Sequence, residues 1–382
     1  MTHAEFAPLA AAYADRLALL RSAKAAGSRV VGYVGNTVPV ELIRAAGCVP
    51  LRIAPLPMLT TVADVYIEPI ADPDVRWIFE LYCTGALDAL DLLVIPRSTE
   101  SQHKLFLSIR EALRTGVVSA GPELWLYDIP HTQRASSAAY GLDRTRALAD
   151  RLGTLVGQPV SDARLRHAIA EGNQRRQLLA QLQAQRWTEP CSGAEGLVAS
   201  SAWRFMHPAE AEPALLQWLH TGGPERLPTG PGLLVRGVPL EHSALHRLVE
   251  QLGARIVAED DDWGARAGAP LISTVLPPLQ AVFEYYWRDV PCVRIQPPDD
   301  RWFHAALQQP AVQGVIFHLP EPDDIYGWSY PPDAAIVARA GLPHLVVRHD
   351  VRDERHLGAI QRELQSFIES LRAKTPAAHS PT

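Results

Sequence analysis

Residues 90–96 read LDLLVIP, a strand-length apolar run with hardly a polar interruption. A strand wetted on one side alternates apolar and polar side chains. One covered on both faces reads as a continuous hydrophobic run, the habit of parallel sheets packed between helices. LWLYDIP (124–130) is a second such strand, and GLLVRG (232–237), QGVIFHLP (313–320) and PHLVVRHD (343–350) are further strand candidates. Stretches of helical periodicity separate them.

The same rhythm opens the chain. Residues 4–27 predict one amphipathic helix ending near Gly27, followed by the strand VVGYV (30–34) and the loop Gly35-Asn36-Thr37. Pro39 stands at a favourable first-turn position for a helix over VELIRAAG, which Gly47 closes, and VPLRI begins a strand at Val49. A helix over 103–114 follows LDLLVIP. Residues 136–186 read as helical with a break at 157–162, where Ser161 or Asp162 caps the second helix. Chain breakers crowd 187–231. The strand–helix alternation then restarts with GLLVRG, a helix to Leu252 and ARIVAE (254–259). A helix around 275–288, the segment PCVRI (291–295) and helices near 301–308, 332–340 and 355–372 complete the second half. This predicts an α/β protein of two open parallel-sheet domains facing each other. They span 1–135 and 226–372, with a helical connecting region at 136–225 and a disordered tail at 373–382.

With 47% apolar and 20% charged residues over 382 positions, the chain can bury a substantial core. A net charge of −6 offers no footprint for nucleic acid or an anionic membrane. The opening MTHAEFAPLAAAYADRLALL carries Glu5 and Asp15 and lacks the layout of a signal peptide, and no apolar stretch is long enough to span a bilayer. A cytoplasmic location is expected. Cys48, Cys83, Cys191 and Cys292 form no CxxC pair, so they read as small apolar residues.

Open α/β sheets bind ligands beyond the carboxyl ends of their strands, which directs attention to loops 35–39, 70–76, 97–104, 237–239, 259–266 and 320–331. No GxGxxG, GxxxxGK[ST], HExxH or GxSxG is present. Gly35 and Gly237 could each admit a phosphate or thioester beside a helix start, the plain alternative being a tight turn. Asp72, Asp74, Glu100, Glu321, Asp323 and Asp324 could gather a hard cation such as Mg²⁺, or simply cap helices and face water. Glu259-Asp260-Asp261-Asp262 reads as a solvated loop. His349, Asp350 and His356 are acid/base candidates that could equally be exposed surface groups.

Three segments resemble one family. VGNTVPVELIRAAGCVPLRI is similar to the opening signature of the 2-hydroxyacyl-CoA dehydratase D-component / benzoyl-CoA reductase family, a strand and a glycine followed by V-P-x-E-L-I-x-A-A-G-x-x-P. LLVRGVPLEHSALHRLVEQLGARIVAEDDDWGAR resembles its G-x-P … I-E-x-x-G-A-x-V-V-x-D-D-x-x-x-G-x-R. GVIFHLPEPDDIYGWSYP with GLPHLVVRHDV resembles the closing G-V-I … G-I-P-x-L-x-x-E-x-D. The resemblance covers about residues 1–372 and implies two flavodoxin-like domains per subunit. It also implies paired subunits, a CoA thioester substrate handled by ketyl radical chemistry, a [4Fe–4S] cluster on three cysteines and an ATP-dependent activator that supplies the electron.

The chain departs from that pattern at the cluster. Where the family has C-x-x-x-R, residues 72–76 read DPDVR; I-P-x-T-C-D is matched by IPRSTE (95–100), and F-C-D-P by Pro322-Asp323-Asp324. The cluster positions are thus occupied by Asp72, Thr99 and Asp323, and no cysteine lies near these loops in sequence. Cys48 and Cys292 follow family positions that are not ligands. Three functions fit this departure. The first is a cluster-free subunit that contributes dimer surface and an acyl-CoA site to a cysteine-bearing paralogue or to a second copy of itself. In that case no cofactor is expected in this chain, and [4Fe–4S] enters only through the partner. The second is a stand-alone acyl-CoA-binding or regulatory protein. The third is a repurposed enzyme using Asp72, Glu100 and Asp323 on a hard metal or as acid/base groups. Gly35, Asn36, Arg76, Thr99, Gly237 and Arg266 are the expected substrate-binding residues.

Overall fold

The computed structural model describes residues 4–68, 72–268, 270–295, 300–321, 323 and 325–374. Part of the 70–76 loop, Asp324 and the tail beyond 374 lie outside the described residues. Helices α1 (Ala7–Ala14) and α2 (Ala18–Ala25) precede β1 (Val30–Tyr33), α3 (Val40–Ala45) and β2 (Val49–Arg52). Next come α4 (Ala63–Tyr66), α5 (Pro73–Cys83), β3 (Leu92–Pro96), α6 (Glu100–Thr115), β4 (Glu123–Tyr127), α7 (Ala135–Val156) and α8 (Asp162–Thr188). The single helix expected over 4–27 is therefore two. The break turns Arg16 inward, where its guanidinium donates to the Ala54 carbonyl at 2.7 Å.

The breaker-rich stretch 187–231 holds two helices that its glycines and prolines concealed, α9 (Gly193–Ala202) and α10 (Pro208–His220). The second half continues with β5 (Gly232–Gly237), α11 (Ala244–Gln251), β6 (Arg255–Glu259), α12 (Pro278–Arg288), α13 (Arg301–Leu307), β7 (Gly314–His318), α14 (Tyr330–Arg339), β8 (His344–Val347) and α15 (Glu354–Lys374). PCVRI forms no strand.

Both sheets are four-stranded and wholly parallel, in the orders β2-β1-β3-β4 and β6-β5-β7-β8. This is the 2-1-3-4 order of doubly wound, flavodoxin-like sheets. The central strands β1, β3 and β7 are buried at every position and β5 over its first four, as the apolar runs require. LWLYDIP and PHLVVRHD are exceptions: β4 and β8 are edge strands, and only Tyr127 of the one and Val347 of the other are fully buried.

The chain divides into two compact units that interleave along the sequence. The first comprises 1–178, 201–218 and 268–299, and the second 179–200, 219–267 and 300–382. This differs from a contiguous division into 1–135, 136–225 and 226–372. The physical reason is apolar: Ile272, Ala281, Val282, Tyr285, Tyr286 and Val290 join Val31, Leu92 and Leu148 in one core, so the segment bearing α12 returns to the first unit. Among the described residues no helix is long and apolar enough to cross a membrane.

Candidate functional site

In the first unit α3 leads from β1 to β2 and α6 leads from β3 to β4. The connections diverge between β1 and β3, the switch point where such sheets leave a crevice. Two loops meet there. Gly35 has a φ of 68°, and a Cβ on it would lie 2.7 Å from Gln102 Nε2. The Thr37 and Ser98 hydroxyls, both buried, hydrogen-bond across the gap. The Ser98 N–H donates to Gln102 Oε1 at 3.2 Å.

The segment after α12 closes over these loops. Asn36 Nδ2 donates to the Pro291 carbonyl at 2.7 Å, and Arg294 Nη1 donates to Glu100 Oε1 at 2.8 Å. Cys292 Sγ lies 3.9 Å from the Ser98 carbonyl oxygen. Cys292, distant from these loops in the sequence, comes beside Ser98 through this contact across 194 positions. Burial pushes its thiol up to about 11, the opposite of what a thiolate ligand needs. His131, beyond β4, is 2% exposed and donates from Nδ1 to the Trp287 carbonyl at 3.1 Å. Gly35, Asn36, Thr99 and Glu100 thus belong to one crevice. Sequence reasoning missed Ser98, His131, Cys292 and Arg294, whose partners are distant in the chain.

Asp72 and Arg76 serve their own neighbourhood. Asp72 caps α5, accepting from the Asp74 N–H at 3.3 Å with Pro73 at the first helical position. Arg76 donates to the Ile67 carbonyl at 2.7 Å and pairs with Asp64.

In the second unit the corresponding switch point lies between β5 and β7. Gly237 has a φ of 126°, and a Cβ there would sit 2.2 Å from the His318 carbonyl oxygen. Gly237→Ala is expected to lower stability by about 1–3 kcal/mol from backbone conformation alone, read as a shifted denaturation midpoint. An unchanged midpoint would mean that the glycine answers to something other than this close approach. Arg266 donates to Asp260 Oδ1 at 3.3 Å. Asp323 accepts from the N–H groups of Ile325 (3.0 Å), Tyr326 (2.9 Å) and Gly327 (2.6 Å) at the start of a short 3₁₀ turn.

Glu259, Asp261 and Asp262 are buried and Asp260 half-buried, which corrects the reading of a solvated loop. Each group for which a contact is resolved has a reason to be inside. Glu259 holds Arg186 and His246, Asp260 pairs with Arg236 and Arg266, and Asp261 accepts three backbone N–H bonds, from Leu240, Trp263 and Gly264. His349 stacks on His356 with ring centroids 3.9 Å apart, and Asp350 pairs with Arg352.

A model of the 2-hydroxyglutaryl-CoA dehydratase D-component family matches residues 36–371. The chain belongs to this family. No curated protein matches it. The family's description names a component of a dehydratase, and two wholly parallel sheets with flanking helices agree with the fold that the sequence resemblance implied.

The D-component resemblance places a [4Fe–4S] cluster at Asp72, Thr99 and Asp323, and those donors do not fit one. Such clusters take soft thiolates. Here all three positions carry oxygen donors that cap a helix or turn, Thr99 accepting from the Gln102 N–H at 3.1 Å. Of the cysteines, Cys48 and Cys83 are, like Cys292, pushed up to about 11 by burial, and Cys191 is raised for the same reason. Among the described residues no group of three or more His, Cys, Asp or Glu side chains is gathered to hold a metal ion. As a cap, Thr99→Ala is expected to cost about 1 kcal/mol and Thr99→Ser almost nothing in thermal unfolding. Equal losses for both would remove the capping role.

Proposed function

We propose that this chain is the cluster-free member of a paired, dehydratase-type assembly acting on an acyl-CoA. It supplies subunit surface and part of the thioester site, while a cysteine-bearing relative holds the [4Fe–4S] cluster and receives the activator's electron. One observation supports the reading: the family match and the two parallel sheets are in place, while Asp72, Thr99 and Asp323, which the motif resemblance sets at the cluster positions, are oxygen donors turned to backbone capping. Loss of ligands without loss of architecture is what a subunit kept for surface and substrate would show.

The thioester is assigned to the carboxyl ends of the strands. In the first unit Gly35, Asn36, Thr99 and Glu100 gather there, with Arg294 as the adjoining cation.

Anaerobic affinity purification of the chain from its native host, with mass spectrometry and iron analysis, tests the assembly. A stoichiometric, cysteine-bearing relative that brings iron with it is expected. A homodimer free of iron would overturn the reading in favour of a stand-alone acyl-CoA-binding protein. Reconstitution of the isolated chain with iron and sulfide is expected to yield no cluster absorbance, and a full complement of iron per chain would equally overturn it.

A further inference from the structure

The segment 201–218 belongs to the first unit. Where it meets β2, α3 and α8 it leaves a small, largely enclosed cavity of about 10 Å³, the room that one water-sized guest needs. Arg44, Arg175 and Arg204 line this space with the indole of Trp203, beside Pro50 and Pro208, and no lining residue is acidic. Arg175 and Arg204 are each 4% exposed, and their guanidiniums lie over the Trp203 ring, 4.1 and 4.6 Å from its centre.

The carboxylates around the cavity leave these donors in excess. Glu212 Oε1 accepts from Arg175 Nη1 at 2.8 Å and from Arg44 Nη1 at 3.4 Å, so one oxygen serves two cations. Glu171, 40% exposed, takes the other arm of Arg44 at 3.0 Å, and Glu41 is taken by Arg176. Nε and Nη2 of Arg175 form no hydrogen bond among the described residues, and neither does the buried Nε1 of Trp203. Burial lowers the Arg175 pKa; Glu212 opposes this, and the Arg44 and Arg176 charges reinforce it. A buried cation pressed by other cations, next to an unmet N–H, calls for an acceptor that carries negative charge.

The size and the lining narrow the choice. Water would bring two protons of its own to side chains that mainly donate. A phosphate or a nucleotide exceeds the space. A halide only accepts, has no preferred direction and is little larger than water, and hydrogen bonds to an ion are the stronger kind.

We propose that this cavity is a structural site for one chloride ion, held by Arg175, Arg204 and the Trp203 N–H, which ties the segment 201–218 to α8 and β2.

The full-length chain is unfolded thermally at constant ionic strength while gluconate is exchanged for chloride, and binding is read directly from the broadening of the ³⁵Cl resonance. Wild type is compared with Trp203→Phe, which keeps the ring beneath both guanidiniums and removes only the N–H, and with Arg175→Gln. The midpoint is expected to rise with chloride concentration, as for any ligand that binds the folded state alone. The broadening should be displaced by bromide and not by acetate. Trp203→Phe should weaken chloride about tenfold, the worth of one hydrogen bond, and Arg175→Gln should abolish the effect. If Arg175→Gln does not fold, Trp203→Phe decides the matter.

A midpoint indifferent to the exchange and an unbroadened resonance would overturn the site and leave water as the occupant. A chloride effect of full size in Trp203→Phe would also overturn it, because salt would then be acting elsewhere on the surface. Displacement by acetate as readily as by bromide would overturn the choice of a halide.

Discussion

Replacing Arg186 with methionine is expected to destabilise the second unit by about 3–5 kcal/mol, the usual consequence of leaving a buried charge without its partner. Arg186, near the end of α8, donates to Glu259 Oε1 at 2.6 Å and to Oε2 at 2.9 Å, and to the Ile256 carbonyl at 3.1 Å. His246 Nε2 donates to the same carboxylate at 2.5 Å, and Glu259 is wholly buried. The cradle is tight, since a Cβ on Gly264 would lie 2.1 Å from Glu259 Oε2. Burial alone would push the Glu259 carboxyl up, but the Arg186 charge and the His246 hydrogen bond overcome this and hold it at about 2.

The sign of the pH dependence follows. A carboxyl whose folded pKa is depressed adds stability above the unfolded value of about 4.3, and that stability is lost as pH falls toward 2. In Arg186→Met the same carboxyl rises instead, so the variant loses stability as pH climbs through and above 4.3. The gap between the two proteins in urea unfolding should therefore close on acidification and be widest at neutral pH. A loss under about 1 kcal/mol at pH 7 would place this trio among weak surface-type pairs and remove the argument. So would a gap that widens in acid.

Glu41→Ala in the first unit should be nearly as costly, about 3–5 kcal/mol, and for the mirrored reason. Here the stranded group is the cation: Arg176 Nη2 donates to Glu41 Oε1 at 2.6 Å and is itself buried. Tyr286 donates to Glu41 Oε2 at 2.8 Å, Arg176 Nε donates to the Tyr285 hydroxyl at 3.1 Å, and the guanidinium stacks over the Tyr285 ring at 4.5 Å. Burial works against the Glu41 charge, yet Arg176, Arg175 and Tyr286 together hold the carboxyl below its ordinary range. Burial and the Glu41 charge in turn keep the Tyr286 phenol well above its own. Hydrogen exchange distinguishes this prediction from a general loosening: protection should fall in β1, α3 and α12 and persist in β5 and β7. A variant with wild-type exchange in α12 would refute it. Glu41 and Gly264 both stand in the segments that carry the family resemblance. What they do here is hold the fold together, so matching motifs are not by themselves a map of the chemistry.

The caps at Thr99 and Asp72 are legible in the local sequence. Thr99 is followed three residues on by Gln102, the spacing of a capping box, and Asp72 stands directly before Pro73. Both are signals of helix starts, and both outweigh a ligand reading once the hydrogen bonds are in view. Gly35 and Gly237 were legible as strand-end glycines for a similar reason, because a positive φ leaves few other choices. His131, Cys292 and Arg294 sent no such signal. A neutral histidine with one ring nitrogen satisfied looks in sequence like any other histidine.

The chain by itself determined its strands, the parallel character of its sheets and its family. Short apolar runs ended by glycine or proline fix secondary structure over a few residues, and the alternation with helices leaves little choice of topology. Tertiary structure alone decided which charges are buried and which segments belong together. Glu41 meets Arg176 across 135 positions, Arg186 meets Glu259 across 73, and Asn36 meets the carbonyl of Pro291 across 255. A buried charge is tolerable only where its counter-charge arrives in space, and no local pattern records that arrival. For the same reason an acidic run read as solvated, Glu259 to Asp262, is largely buried.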